Sequence, residues 1–269
     1  MHDDGPEILL TNDDGIQSPG IEALRDALLD VGDVTVVAPA TDQSAVGRAI
    51  SYEADVDDHP WGYAIEGTPS DCVVAGLGAL VPDADIVVSG ANKGANLGMY
   101  VLGRSGTVSA AVESTFFGVP AVATSLYVQQ GDADFETVAN DVDDYRTVAA
   151  ATAHIVERGL ATNAFEEADY LNVNGPRPSA ASGDMRITTP SLAYDMDAHR
   201  DGHTVHLTDR MWQRMAHGEV PDEDGQTDRK AVVEGAISVS PLTAPHSTEG
   251  TERLGELAAA YRGRHRGDS

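Results

Sequence analysis

The chain has 269 residues, 41% of them hydrophobic, enough to bury one large core and carry an appendage. It holds 44 acidic against 17 basic residues, for a formal net charge of -27, and nothing in it forms the basic stripe that long nucleic acid would need, so that class of partner is excluded. No run approaches the ~20 apolar residues that span a bilayer, and the single cysteine, Cys72, permits neither an internal disulfide nor a thiolate metal cluster.

Residues 1–6 are short and acidic, unlike a secretory leader, which points to a cytoplasmic protein with no membrane association. Residues 7–12 form an apolar run, followed by Asp13-Asp14-Gly15 and by Pro19, which opens a helix bearing Ile21, Leu24 and Leu28. Residues 33–40 (DVTVVAPA), 84–90 (ADIVVSG) and 119–126 (VPAVATSL) are further strands, and helical patterns cover 70–80, 107–117 and 142–158. Strands alternating with helices predict right-handed crossovers and a doubly wound, mainly parallel α/β sheet. Residues 48–56 and 61–66 look like a small hairpin inserted in that progression, hinged at Asp57-Asp58-His59-Pro60.

After another strand at 170–174 (YLNVN) the character changes. The stretch that follows is rich in Pro, Gly, Asp and His, with strand-like pieces at 185–189 and 203–207, and is assigned to an arm that packs on the domain or on a partner subunit. Residues 231–241 return as strand, and 251–261 read as an amphipathic helix. The expected organisation is a catalytic core over 1–175, an extension or oligomerisation arm over 176–230, and a returning strand with a C-terminal helix over 231–269. Acids dispersed over almost every predicted loop and helix face resemble a halophile's surface rather than a disordered acidic tail.

The strongest local signal is Thr11-Asn12-Asp13-Asp14-Gly15 at the end of the first strand, where ligands gather in open α/β sheets. Adjacent carboxylates repel unless a proton or a cation intervenes, and an all-oxygen environment favours Mg²⁺ or Mn²⁺ over zinc. The other reading is a turn and a helix cap, the ordinary fate of Asn-Asp-Gly sequences. Residues 89–98 (SGANKGANLG) again follow a strand, and Ser105-Gly106-Thr107 then opens a helix whose free amides can hold a phosphate; here the alternative is an ordinary connection with a Ser cap. The loop 39–48 brings Ser44, a neutral oxygen donor, to the same edge. For 67–72 (GTPSDC), capping explains the residues fully.

These segments, together and in order, resemble the SurE family, the survival proteins that act as 5'-nucleotidases. The resemblance is carried by ILLTNDDGIQSPGI (8–21), VVAPATDQSAVGRAIS (36–51), GTPSDC, DIVVSGANKGANLG (85–98) and SGTVSAA (105–111), with later echoes at LNVNGP (171–176) and AISVSPL (236–242). It implies one divalent metal, Mg²⁺ or Mn²⁺, held by Asp13, Asp14, Ser44 and Asn92, with the two aspartates catalytic, and it places Asn96, Ser105, Gly106 and Thr107 near the substrate phosphate. It further implies a Rossmann-like core with a β-rich C-terminal arm exchanged between subunits, a homodimer or homotetramer, and nucleoside 5'-monophosphates as substrates, with 3'-nucleotides or short polyphosphate accepted by some members. The chain departs from the pattern at Ala40, at Ala91 and at Gly103-Arg104, where a hydrophobic-aromatic pair is usual.

Three rivals stand beside this reading. A nucleotide-binding regulator without hydrolysis would keep the fold, but Asp13, Asp14, Ser44 and Asn92 are all present. A dinucleotide-dependent oxidoreductase would need GxGxxG where the first turn reads Asp-Asp-Gly. A glycosyltransferase with an acidic metal pair lacks an accompanying sugar-nucleotide pattern. Lys93 and Arg104 are candidate phosphate contacts, whereas His199, His203, His206 and His217 lack a metal-ligand spacing and read as structural or surface residues.

Overall fold

The computed structural model describes residues 5–128, 137–220 and 226–244, together with 255, 256 and 258. In chain order the elements are β1 (Glu7–Thr11), α1 (Pro19–Leu28), β2 (Asp33–Pro39), β3 (Val56–His59), β4 (Gly62–Ile65), α2 (Pro69–Ala75), β5 (Ile86–Lys93), α3 (Met99–Leu102), α4 (Gly106–Phe116), β6 (Ala121–Tyr127), α5 (Arg146–Thr162), β7 (Tyr170–Pro176), β8 (Met185–Ile187), β9 (Met196–Asp201), β10 (Thr204–Asp209), α6 (Arg210–Ala216), α7 (Asp228–Val233) and β11 (Ile237–Leu242). No helix among the described residues is long and apolar enough to cross a membrane.

Nine strands form one sheet in the order β3-β4-β2-β1-β5-β6-β7-β11-β8. The run from β4 to β7 is parallel throughout, and antiparallel pairing occurs only at β3 with β4 and at β11 with β7. β1 lies between β2 and β5, so the strand order reverses there and a crevice opens beyond the carboxyl ends of these three strands. Alternation along β1 decides which layer each residue joins. Ile8 and Leu10 pack with Ile21, Leu24 and Leu28 of α1 and with α5 on one face, while Leu9 packs with Cys72 and Val73 of α2 and Val108 of α4 on the other. All of these side chains are buried, at about 1.5–3 kcal/mol for each fully buried large aliphatic residue.

Thr68 and Asp71 build a reciprocal capping box at α2, as the Thr-Pro-Ser-Asp pattern requires: Asp71 N–H donates to Thr68 Oγ1 at 3.2 Å, and Thr68 N–H to Asp71 Oδ2 at 2.8 Å. Burial pushes the Asp71 carboxyl up, but hydrogen bonds from Ser51 and Thr68 outweigh it and leave the group below its ordinary value.

Several elements differ from the sequence expectation. The hairpin turns at Pro60 and Trp61, because Asp57, Asp58 and His59 belong to β3, and β4 pairs in parallel with β2, so the hairpin is the edge of the main sheet rather than an insertion. The helix read over 70–80 ends as α at Ala75 and continues as a π-helical turn over Gly76–Leu80. The strand read over 231–241 begins only at Ile237, since Ala231, Val232 and Val233 close α7. Within the segment 176–230, β8 joins the main sheet beside β11, while β9 and β10 pair only with each other. The helix expected over 251–261 lies outside the described residues but for 255, 256 and 258, which are helical.

Candidate metal and phosphate site

The first turn after β1 delivers Asp13 and Asp14 to the crevice. Asn12 fixes that turn: its Nδ2 donates to Gly15 O and to Ser18 Oγ, each at 2.8 Å. Asp13 is 3% exposed, and its Oδ1 accepts a 2.7 Å hydrogen bond from the Thr107 hydroxyl at the start of α4. Gly106 lies against the same carboxylate, where a Cβ would stand 2.8 Å from Asp13 Oδ2. Asp14 Oδ2 accepts from the backbone N–H of Lys93 at 2.9 Å, tying the first turn to the end of β5 beside Asn92.

Both aspartates are held above the ordinary carboxylate range. Burial is the largest cause at Asp13, opposed by the Thr107 hydroxyl and amide, which favour the charged form. Asp14 is pushed up to about 7, first by burial and then by the neighbouring charge of Asp13. Asp42 raises both further and was not singled out by the sequence reading; only its place in the loop after β2 could have pointed to it.

That loop carries Ser44. Gln43 N–H donates to Asp13 O at 2.7 Å and Ser44 N–H to Asp42 Oδ1 at 2.7 Å, so Ser44 is anchored one residue from a direct tie to the first turn, with its own side chain exposed. Asn92 lies near the end of β5, half-buried, where the β5–β6 register shifts between Ser89 and Asn92. Asn96 is 5% exposed; its Nδ2 donates to Ser125 Oγ at 2.9 Å and, at 3.5 Å, to Thr107 Oγ1, joining Asn96, Thr107 and Asp13 in one hydrogen-bonded series. Ser105 caps α4, its Oγ accepting from Val108 N–H at 3.1 Å. With the Val108 amide capped by Ser105, Gly106 N–H and Thr107 N–H are the other amides of that first turn, and the Thr107 amide favours the charged form of Asp13.

Two neighbours of the cradle take other roles. Lys93 Nζ reaches Asn140 Oδ1 at 2.9 Å. Arg104 is exposed and stacks on the Tyr100 ring, 5.2 Å from its centroid, and that ring is fixed by a 2.7 Å bond from its hydroxyl to Asp209 Oδ2. His199 and His206 face each other across the β9–β10 hairpin, both exposed, and far in sequence from these elements. Cys72 is buried, and burial pushes its thiol up, as expected of a packing residue. Sequence reading missed Ser125, Asn172 and Asn174; the two asparagines sit two apart, on one face of an otherwise apolar strand, and that polar alternation is the signal that could have found them.

The donor set fits a hard divalent cation. Among the described residues no Lys or Arg side chain forms an ion pair with Asp13 or Asp14, and no group of three or more His, Cys, Asp or Glu side chains is arranged to hold a metal. Two carboxylates with repelling charges and neutral oxygens from Ser44 and Asn92 are the chemistry that Mg²⁺ or Mn²⁺ takes, whereas zinc would seek nitrogen or sulfur.

Fold and site together define a Rossmann-like α/β protein with two adjacent carboxylates, Asp13 buried and Asp14 half-buried, at its topological switch point. The sequence profile described as "Survival protein SurE" matches residues 8–196, and the chain belongs to the SurE family. Among its relatives, the 5'-nucleotidase SurE of Haloarcula marismortui is 58% identical over 259 residues, covering 96% of each chain. The protein of the same name from Pelobacter propionicus is 38% identical over 243 residues, 87% of this chain and 92% of that one. In three dimensions the crystal structure of the SurE protein from Aquifex aeolicus is similar, with a TM-score of 0.75 at 30% identity, covering 94% of this chain and all of the other.

Proposed function

We propose that the protein is a metal-dependent 5'-nucleotidase that hydrolyses nucleoside 5'-monophosphates to nucleoside and phosphate, with 3'-nucleotides or short polyphosphate as further candidates. The observation that carries this reading is the pair Asp13 and Asp14, the first buried and the second half-buried at the switch point and both above the carboxylate range, beside the first turn of α4. The names of the curated relatives support it.

Asp13, Asp14, Ser44 and Asn92 would hold one Mg²⁺ or Mn²⁺, which supplies charge neutralisation at the phosphoryl oxygens and acidifies a water. Thr107 fixes the rotamer of Asp13 and favours its ionised form. Gly106 N–H, in the first turn of α4, would take charge on a phosphoryl oxygen, helped by the positive end of that helix. The Asn96 N–H that reaches Thr107 at 3.5 Å is the one an incoming oxygen would take over. These groups are in place before substrate arrives, which is what makes such donors effective.

A homodimer or homotetramer belongs to the same reading. Its support is the apolar surface near the arm, where Leu192 is 79% and Leu207 72% exposed. A cytoplasmic location is likewise part of the proposal.

The test is phosphate release from a panel of nucleoside monophosphates in high salt, with chelator and with added Mn²⁺ or Mg²⁺. Release that needs the added metal is expected. Activity surviving exhaustive chelation would defeat the metal assignment, and no release from any nucleotide would leave a nucleotide-binding protein without hydrolysis.

A further inference from the structure

Asn96 sits on a loop whose backbone is held from two sides. From the sheet, Asn174 Oδ1 accepts from Asn96 N–H at 2.8 Å, while the side-chain amides of Asn172 and Asn174 donate to Asn96 O at 2.9 and 3.2 Å. From the other side the holding groups come from far later in the chain. Asp228 Oδ2 accepts from Gly98 N–H at 2.7 Å across 130 residues, and its Oδ1 accepts from Ser191 N–H at 3.0 Å and Arg229 N–H at 2.8 Å. Met99 N–H donates to Ser191 O at 2.8 Å.

Arg229 completes the brace. Its guanidinium is fully buried, donates from Nη1 to Ser191 Oγ and Ala193 O at 2.9 Å each, and approaches Leu97 O with Nη2 at 3.5 Å. Gly98 leaves room for it, since a Cβ there would stand 2.2 Å from Nη2. Leu97 itself is buried among Met211, Met215 and Val232. A buried carboxylate with three backbone N–H donors does not move without leaving those donors unsatisfied.

We infer that Asp228 is a positioning residue for phosphate-ester hydrolysis: by holding Gly98 it sets the loop that presents Asn96 to the phosphoryl group, so Ser191, Asp228 and Arg229 brace the phosphate cradle from far later in the chain. This rests on the nucleotidase reading for its reaction, but the claim concerns phosphate affinity and is measured without turnover. No contact with substrate or cation is assigned to Asp228; it acts through the loop that carries Gly98 and Asn96.

The experiment compares full-length wild type, Asp228→Asn and Arg229→Ala by calorimetry, titrating first Mn²⁺ and then inorganic phosphate into the Mn²⁺-loaded protein in high salt. Asp228→Asn keeps the side chain's shape but offers one acceptor oxygen where three N–H groups need two. Phosphate affinity is expected to fall about tenfold or more, the scale of a lost hydrogen bond to a charged group, with Mn²⁺ affinity unchanged. If that variant does not fold, Arg229→Ala decides on the same split, with an expected loss of roughly threefold. Unchanged phosphate affinity, or a parallel loss of Mn²⁺ and phosphate affinity, overturns the inference. A wild type that binds phosphate but releases none from any nucleotide would sink the nucleotidase reading alone.

Discussion

Thr107 and Asp13, 94 residues apart, meet through a 2.7 Å hydrogen bond that links the first turn of α4 to the tip of β1. Neither group reaches solvent to any extent, so the bond faces little competition from water. Replacing Thr107 by Val keeps the shape and removes the donor. The expected result is a roughly 10- to 100-fold fall in Mn²⁺ affinity or in kcat/KM, the range for a hydrogen bond to a charged partner. Thr107→Ser should retain most of both, and a Val variant indistinguishable from wild type in both measurements would show that the bond is incidental.

Asp14, pushed up to about 7, predicts how metal binding depends on pH. In the metal-free protein its folded value lies above the unfolded one, so the folded state binds more protons, and its contribution to stability is full at acid pH and is lost as pH rises from about 4 to about 7. A cation needs the ionised form, so Mn²⁺ affinity should climb with pH up to about 7 and then level, with proton release below that value. Calorimetry in buffers of different ionisation heats counts the proton. The stability difference between wild type and Asp14→Asn, followed from pH 5 to 8 without metal, isolates this group from carboxylates such as Asp71 that shift the other way. A flat affinity profile across that interval would contradict the raised value.

Gly106→Ala offers a contact test whose sign runs against helix propensity. Ala at an exposed helical position ordinarily stabilises relative to Gly, by up to ~1 kcal/mol. Here the new Cβ would stand 2.8 Å from Asp13 Oδ2 and 2.9 Å from its Cβ, so we expect a loss of about 1–3 kcal/mol and weakened Mn²⁺ binding. Gly78→Ala is the control, because nothing lies within 4 Å of the added atom. Thermal melts of the two variants should separate; a Gly106→Ala protein as stable and as metal-competent as the control would remove the close approach from the account.

The parts of this protein that are local in sequence were legible in it. β1, α1, β2 and the capping box at α2 follow from runs, caps and periodicity that need no distant partner. The adjacent acids, and their place after the first strand, likewise pointed to the candidate site. What escaped was set by pairing across long separations. The residues 57–59 look like a turn, yet β4 finds β2 and draws them into a strand. Ala231 to Val233 are apolar enough for a strand, but a helix starts after Thr227, whose side chain makes no capping bond, and Asp228 in its first turn is taken up by Gly98. A Thr-Asp pair before a helix reads as a cap, and nothing in its neighbourhood tells that its carboxylate reaches a loop 130 residues earlier.

The same separation bears on how the molecule is made. The four oxygen donors proposed for the cation all lie between positions 13 and 92, at the end of β5 or in the loops that follow β1 and β2, three strands that pair with one another. The carboxylate that steadies Gly98 arrives only with residue 228. A nascent polypeptide leaving the ribosome would therefore carry its proposed cation ligands long before the loop around Asn96 is braced.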